Sequence, residues 1–218
     1  REFLDFSRLV CRIIDFKSAF TATHSSGVAA VAKTVASLVG FSLQECVMFE
    51  IAAYLHDLGK LAIPTEILEK RERLTAAEWG VMRTHVYYTY QILDPIEVLD
   101  LVSSWSSFHQ ERLDGSGYPD GLSGDAIPLV AQIIGIVDVY DAITTSRPNR
   151  PRRSREVAFE ELLDEVTRGW RRRDLVEAFI AQRRERPMPW ELEPAAPGPS
   201  VKRARSTRRR RKSTRASL

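Results

Sequence analysis

An all-α bundle is the fold this sequence predicts, and three observations predict it. Apolar residues recur at three- and four-residue spacing, as Val28, Val31, Val35 and Leu38 do. Two capping boxes, Ser42-Leu43-Gln44-Glu45 and Thr75-Ala76-Ala77-Glu78, pair a hydroxyl with a Glu three positions on, which satisfies open amides at a helix start. No run alternates apolar and polar residues as a half-buried strand would, and no segment repeats.

The elements follow in order. Val10, Ile13, Ile14 and Phe16 suggest a first helix, with Phe20 near its end. Thr21 or Thr23 caps a second, which carries His24 and the Val28 to Leu38 stripe and stops at Gly40. The box at Ser42 opens a mostly apolar helix that reaches His56. The box at Thr75 opens another through Trp79, Met82, His85, Tyr88 and Ile92. Asp94-Pro95 ends it and starts a helix through Val98, Leu101, Val102 and Trp105 to His109. Gly115 to Asp125 is a polar loop, and Pro128 suits the first turn of a helix carrying Ile133, Ile134, Ile136, Val137 and Asp138. Val157, Phe159, Leu162, Leu163 and Val166, then Leu175, Val176, Phe179 and Ile180, form two amphipathic helices that close the far side. From Pro187 onward Pro, Ala, Gly, Ser and Arg dominate, so the domain is expected over residues 1–186 and a disordered tail over 187–218.

Composition narrows the partners. The chain is 44% hydrophobic and 28% charged, an ordinary globular balance, and its length allows a sizeable core. No stretch approaches the roughly 20 apolar residues of a membrane span. The charged start lacks the apolar segment of a secretory leader, and the missing initiator Met suits an excised piece of a longer protein, expected in the cytoplasm. Cys11 and Cys46 lie apart in apolar surroundings and are expected as free buried thiols. Of 32 basic residues, nine lie in Ala195 to Leu218, where there is no acid. The remaining 194 residues hold 23 basic and 29 acidic side chains, a balance of −6. A folded part of that charge is a poor duplex nucleic-acid binder, although Arg208-Arg209-Arg210-Arg211-Lys212 in the tail could meet acidic lipid or nucleic acid.

The chemistry gathers at His56-Asp57-Leu58-Gly59-Lys60. An imidazole and a carboxylate at adjacent positions hold a metal poorly alone, but with further His and Asp they suit Mn, Fe, Zn or similar ions. A hydrogen-bonded structural couple is the plain alternative. Gly59 allows a tight exit and Lys60 brings a positive charge. The chain has four histidines, His24, His56, His85 and His109, each beside helix-like sequence. The last opens His109-Gln110-Glu111-Arg112-Leu113-Asp114-Gly115-Ser116-Gly117-Tyr118-Pro119. Asp138 lies in an otherwise apolar helix, where a carboxylate needs a partner: a metal, an Arg or a helix cap.

His-Asp-x-Gly-Lys, then His85, then the segment from His109 to Pro119, resembles the HD-GYP branch of the HD phosphohydrolase superfamily. The likeness runs from about Phe6 to Arg150 and includes Ile63-Pro64-Thr65-Glu66-Ile67-Leu68-Glu69-Lys70; the motif core spans residues 20–150. It implies a helical bundle of HD-domain type and hydrolysis of cyclic di-GMP to linear pGpG and onward to GMP. It also implies two divalent transition-metal ions such as Fe or Mn, which lower the pKa of a shared water and hold the phosphate. His24, His56, Asp57 and Asp138 are implied around one ion, and Asp57, His85 and His109 around the other. Asp57 and Lys60 become the catalytic pair, with Lys60 beside the leaving oxygen. Lys60, Tyr118, Arg147 and Arg150 become dinucleotide contacts, although Arg150 leads into a solvated run with Arg152 and Arg153. Glu111, Arg112 and Asp114 match the motif and are expected to support the metal ligands rather than to bind a metal. An upstream sensory or receiver domain outside this chain is a further implication.

The chain departs from the pattern at two places. The family motif reads His-His-Glu where this chain has His109-Gln110-Glu111, and a neutral amide oxygen is a poorer transition-metal ligand than imidazole. A weaker second metal site follows. Phe20 stands where some relatives carry a Glu for a third ion, so a trinuclear site is not expected. Gln110 leaves a second reading open, a catalytically impaired domain acting as a cyclic dinucleotide sensor or interaction scaffold. A hydrolase of another nucleotide is a third.

Overall fold

The computed structural model describes residues 2–17, 28–29, 40–146 and 151–187, and among them the regular elements are helical apart from one isolated bridge between Asp114 and Ser123. Both capping boxes form. Ser42 Oγ accepts the Glu45 N–H at 3.3 Å while Glu45 Oε2 accepts the Ser42 N–H at 2.8 Å. They open α2, Leu43–Leu55, after α1, Glu2–Lys17. Thr75 and Glu78 exchange the same bonds at 3.3 and 2.7 Å and open α4, Ala76–Leu93, after the short α3, Thr65–Leu68. Glu78 also takes the Lys70 ammonium at 2.6 Å, which with the Thr75 amide holds its carboxyl down at about 2.

The core is built on two helices that are apolar nearly all round and are buried for that reason. In α2, Phe49, Ala52 and Ala53 have no exposed surface. In α6, Leu129–Thr144, every residue from Val130 to Val137 is buried. Between them lies α5, Asp100–Ser107, whose Ser106 hydroxyl donates to the Ala52 carbonyl of α2 at 3.0 Å. The far side is closed by α7, Arg155–Thr167, and α8, Arg173–Glu185. Tyr140 of α6 stacks on Phe159 with centroids 5.7 Å apart and meets Phe179 edge-on at 5.1 Å. Aromatic pairs of this geometry contribute about 0.5–1.5 kcal/mol beyond their burial. A buried Arg171–Glu165 pair at 2.9 Å lies between α7 and α8. Gly135 brings the α6 backbone close to this pair and to α5: a Cβ there would lie 2.4 Å from Arg171 Nη1 and 2.4 Å from the His109 carbonyl oxygen.

Several sequence expectations shift. The first helix begins at Glu2, and it buries Cys11 and Ile14 while Ile13 and Phe16 face outward, Phe16 at 88% exposure. In α4 the stripe of Trp79, Tyr88 and Ile92 is largely exposed, and the buried face is His85, Val86, Thr89 and Leu93. The helix expected from Val98 to His109 is preceded by a 3-10 turn, Glu97–Leu99, and ends at Ser107. Pro128 caps α6 from outside its first turn. Of the expected second helix only Val28 and Ala29 are described, both helical and fully buried. Gly40 has φ 84°, which suits the stop expected there. Cys11 and Cys46 are buried and are not joined to each other. No helix among the described residues is long and apolar enough to cross a membrane.

Candidate metal centre

His56 ends α2, and Asp57 follows it directly into a 3-10 turn, Leu58–Ala62. His85 comes from the buried face of α4, and His109 lies just past the end of α5. These four side chains, distant in sequence, share one buried space. Asp57 is 1% exposed, His56 and His109 0%, and His85 4%. One ligand atom each of His56, Asp57 and His109 lie within 4.8 Å of one another. The rings of His56 and His109 are 4.9 Å apart, and those of His85 and His109 are 5.6 Å apart. His56 Nε2 stands 3.3 Å from Asp57 Oδ2, and His85 Nε2 stands 3.5 Å from Asp57 Oδ1. The two carboxylate oxygens thus face different imidazoles.

The three rings are held alike. His56 Nδ1 meets the Ala53 carbonyl at 2.7 Å, His85 Nδ1 meets that of Met82 at 2.8 Å, and His109 Nδ1 meets that of Ser106 at 2.7 Å. A carbonyl only accepts, so each Nδ1 carries a proton and Nε2 is the ring atom left to face the cluster. Metal-ligating histidines are oriented by such second bonds. The Nε2 atoms of His85 and His109 are buried and, among the described residues, have no hydrogen-bond partner. Leaving a buried acceptor unmade costs about 1–3 kcal/mol. Imidazole nitrogens around a carboxylate are a donor set that suits Mn, Fe or Zn, so the residues fit a transition-metal ion.

Charge in the cluster is set by burial and by neighbours. Burial alone would push the Asp57 carboxyl up, but His56, Lys60 and His85 hold it well below the usual carboxylate range. Lys60, half-buried, places its ammonium on Asp57 Oδ2. Burial lowers both His85 and His109, the latter to about 3. At neutral pH the carboxylate is ionised and these two imidazoles are neutral, the states that bind metal.

A pH dependence follows. The unfolded chain protonates its histidines near 6.5, whereas folded His109 stays neutral down to about 3. The His109 contribution to the metal-free domain is therefore complete above about pH 6.5 and drains away as pH falls from there. Asp57 adds stability present above its unfolded value near 3.8 and lost as pH falls through its lower folded value. The urea midpoint of metal-free protein is expected to be lower at about pH 5 than at about pH 7.5.

Of the other expected site residues, Gln110 donates its amide N–H to Asp138 Oδ2 at 3.0 Å. A carboxylate only accepts, so the nitrogen of that amide faces Asp138. Gln110 is thereby an orienting partner of Asp138, a role its place in the motif does not reveal. Asp138 itself is half-buried, one turn beyond Gly135. Tyr118 is half-buried, with its N–H on the Gln110 carbonyl at 3.3 Å, and burial followed by the charge of Asp138 pushes its phenol up to about 12. Glu111 Oε1 accepts the N–H groups of Asp120 and Gly121 at 2.7 and 3.1 Å, Asp114 accepts that of Ser116 at 2.9 Å, and Arg112 lies 3.5 Å over the Trp170 ring. These contacts hold the Gly-rich loop in shape. His24, Phe20, Arg147 and Arg150 lie outside the described residues, and so does the tail beyond residue 187.

Gly59 also serves a purpose beyond the tight exit expected of it. A Cβ there would stand 1.8 Å from the His85 carbonyl oxygen and 2.7 Å from the Thr89 nitrogen, so the turn lies directly on the α4 backbone. Thr89, Ser106 and Arg83 are further site-supporting residues that no motif marks. Thr89 bonds the turn, Ser106 bonds α2, and the Arg83 guanidinium lies 5.1 Å over the Tyr118 ring. Their partners lie 30 to 54 positions away in sequence, and no spacing signal connects them.

Comparison with known proteins agrees with this geometry. A family model described as HD domain matches residues 8–170. The chain is 41% identical over 150 residues to the cyclic di-GMP phosphodiesterase response regulator RpfG of Xanthomonas campestris, covering 68% of this chain and 39% of the relative. It is 39% identical over 139 residues to 3′3′-cGAMP-specific phosphodiesterase 3 of Vibrio cholerae, covering 64% and 30%. It is 32% identical over 190 residues to a cyclic di-GMP phosphodiesterase of Thermotoga maritima, covering 84% and 51%. The chain thus spans between about a third and a half of the length of these relatives. The fold is shared with Bd1817, an HDG"Y"P protein from Bdellovibrio bacteriovorus, at a TM-score of 0.64 and 15% identity over 83% of this chain and 63% of that one.

Proposed function

The chain belongs to the HD domain family, in its HD-GYP branch, and from that premise we propose that it is a metal-dependent phosphodiesterase that opens cyclic di-GMP to pGpG, and onward to GMP. The observation that carries the proposal is the set of buried imidazoles of His85 and His109, turned with His56 toward the ionised Asp57. The relatives named above act, by their names, on cyclic dinucleotides.

In this reading His24, His56, Asp57 and Asp138 would hold one divalent ion, and Asp57, His85 and His109 a second, weaker one, with His109 also close to His56. Bound ions supply Lewis acidity at the phosphate and lower the pKa of water at the site. Asp57 would contribute the negative charge that neutral imidazoles lack. Water adds to phosphorus, the P–O3′ bond breaks, and the departing oxygen takes up a proton. Lys60, the cation already at Asp57, stands by that oxygen. Tyr118, Arg147 and Arg150 contact the dinucleotide, the arginines by the planar fork that suits phosphate and guanine edges. The folded unit covers residues 1–186, with the basic tail outside the chemistry and duplex nucleic acid no partner of the domain. RpfG is named a response regulator, and a receiver or sensory unit is proposed to precede this chain too, in the cytoplasm where such a messenger acts.

Gln110→His tests the proposal. Turnover of cyclic di-GMP is measured with Mn or Fe supplied, in wild type and variant. The wild type is expected to turn over; the variant adds an imidazole at the second ion's site and removes the hydrogen bond that orients Asp138. If the variant is active and the wild type is not, the natural domain is not a hydrolase of this substrate.

A further inference from the structure

We propose that Thr89 is a positioning residue of the metal centre, one that fixes the His56-Asp57 pair against the helix carrying His85; this rests on the metal reading above. Thr89 is completely buried in α4, one turn beyond His85 on the same face. A threonine inside a helix ordinarily returns its hydroxyl to the carbonyl four residues back. Here that carbonyl belongs to His85, and the backbone of Gly59 lies against it. The hydroxyl turns instead to the neighbouring chain. It accepts the Gly59 N–H at 2.9 Å and donates to the His56 carbonyl at 3.3 Å. Both of its roles, donor and acceptor, are used on the two backbone groups that flank Asp57 and Leu58.

The consequence is geometric. His56 and Gly59 bracket the carboxylate, so a single side chain on α4 sets where Asp57 stands relative to the imidazole one turn away. That spacing is 3.5 Å from His85 Nε2 to Asp57 Oδ1. Metal–ligand distances in a well-formed site match their standard values to within about 0.2 Å. Without the hydroxyl, the buried Gly59 N–H loses its acceptor, and the turn must shift or admit water to satisfy it. Thr89 touches no ion and no substrate in this account; it acts through Asp57.

The test compares Thr89→Val, which keeps the shape and loses the hydroxyl, with Thr89→Ser, which keeps the hydroxyl. Mn(II) affinity of the metal-free full chain is read by titration calorimetry, and the urea midpoint of the same metal-free samples is read beside it. Thr89→Val is expected to bind Mn(II) about 10- to 100-fold more weakly, and Thr89→Ser to stay close to wild type. If Thr89→Val fails to fold, Thr89→Ala takes its place against Thr89→Ser. Wild-type Mn(II) affinity in the hydroxyl-free variant overturns the proposal, even where its urea midpoint falls, since that is a structural role alone. Serine as weak as valine overturns it too. A wild type that binds no Mn(II) removes the metal reading itself, and the proposal with it, a result distinct from equal binding in all variants.

Discussion

Asp57→Asn is expected to reduce phosphodiester hydrolysis by at least about 10³-fold, roughly 4 kcal/mol of transition-state stabilisation, while the helical fold persists. The substitution keeps the shape and removes the charge. Its force comes from the company Asp57 keeps. His56, His85 and Lys60 all face its two oxygens, and His109 lies within the same 4.8 Å group. Two of these imidazoles are held neutral by burial, so the anionic charge that draws a divalent cation in comes from the aspartate. The variant should lose metal and turnover together, with its far-ultraviolet circular dichroism unchanged. Wild-type turnover in Asp57→Asn would remove Asp57 from the mechanism.

Gly59→Ala is expected to destabilise the domain by about 3 kcal/mol, the upper end of what overpacking usually costs. The added methyl would sit 1.8 Å from the His85 carbonyl oxygen, and that neighbour is helix backbone, which has no rotamer to change. Either α4 moves away or the turn does. Both displace His85 from Asp57, so the metal should weaken as stability falls. Urea unfolding of metal-free protein checks the first effect, and Mn(II) titration the second. A wild-type urea midpoint would mean that the turn does not press on α4 as described.

These two residues also mark how far the sequence could be read. The capping boxes at Ser42 and Thr75 were legible because both halves of each box lie three positions apart, and both form. That His56, His85 and His109 would share one place was legible because the chain has few histidines and these fall in motifs. The geometry around them was not. Gly59 reads as a loop glycine until α4 is laid on it. In α4, Trp79, Tyr88 and Ile92 make as good an apolar stripe as the neighbouring one, and only tertiary contact decides that Val86 and Thr89 go inside. Gln110 reads as a poor ligand, since its chemistry as a ligand is all that one position reveals. Its hydrogen bond to Asp138, 28 positions away, turns it into an orienting group. In α1, likewise, Ile13 and Phe16 mark the helix but face outward, while Cys11 and Ile14 are buried.

X-ray absorption at the metal edge of the Fe- or Mn-loaded chain, with the metal content of the same sample, tests the centre most directly. The account predicts at least one tightly held ion per chain, with imidazole scattering from two or more histidines that disappears in Asp57→Asn. A chain that holds no ion after loading, or an ion with no imidazole in its shell, would contradict it.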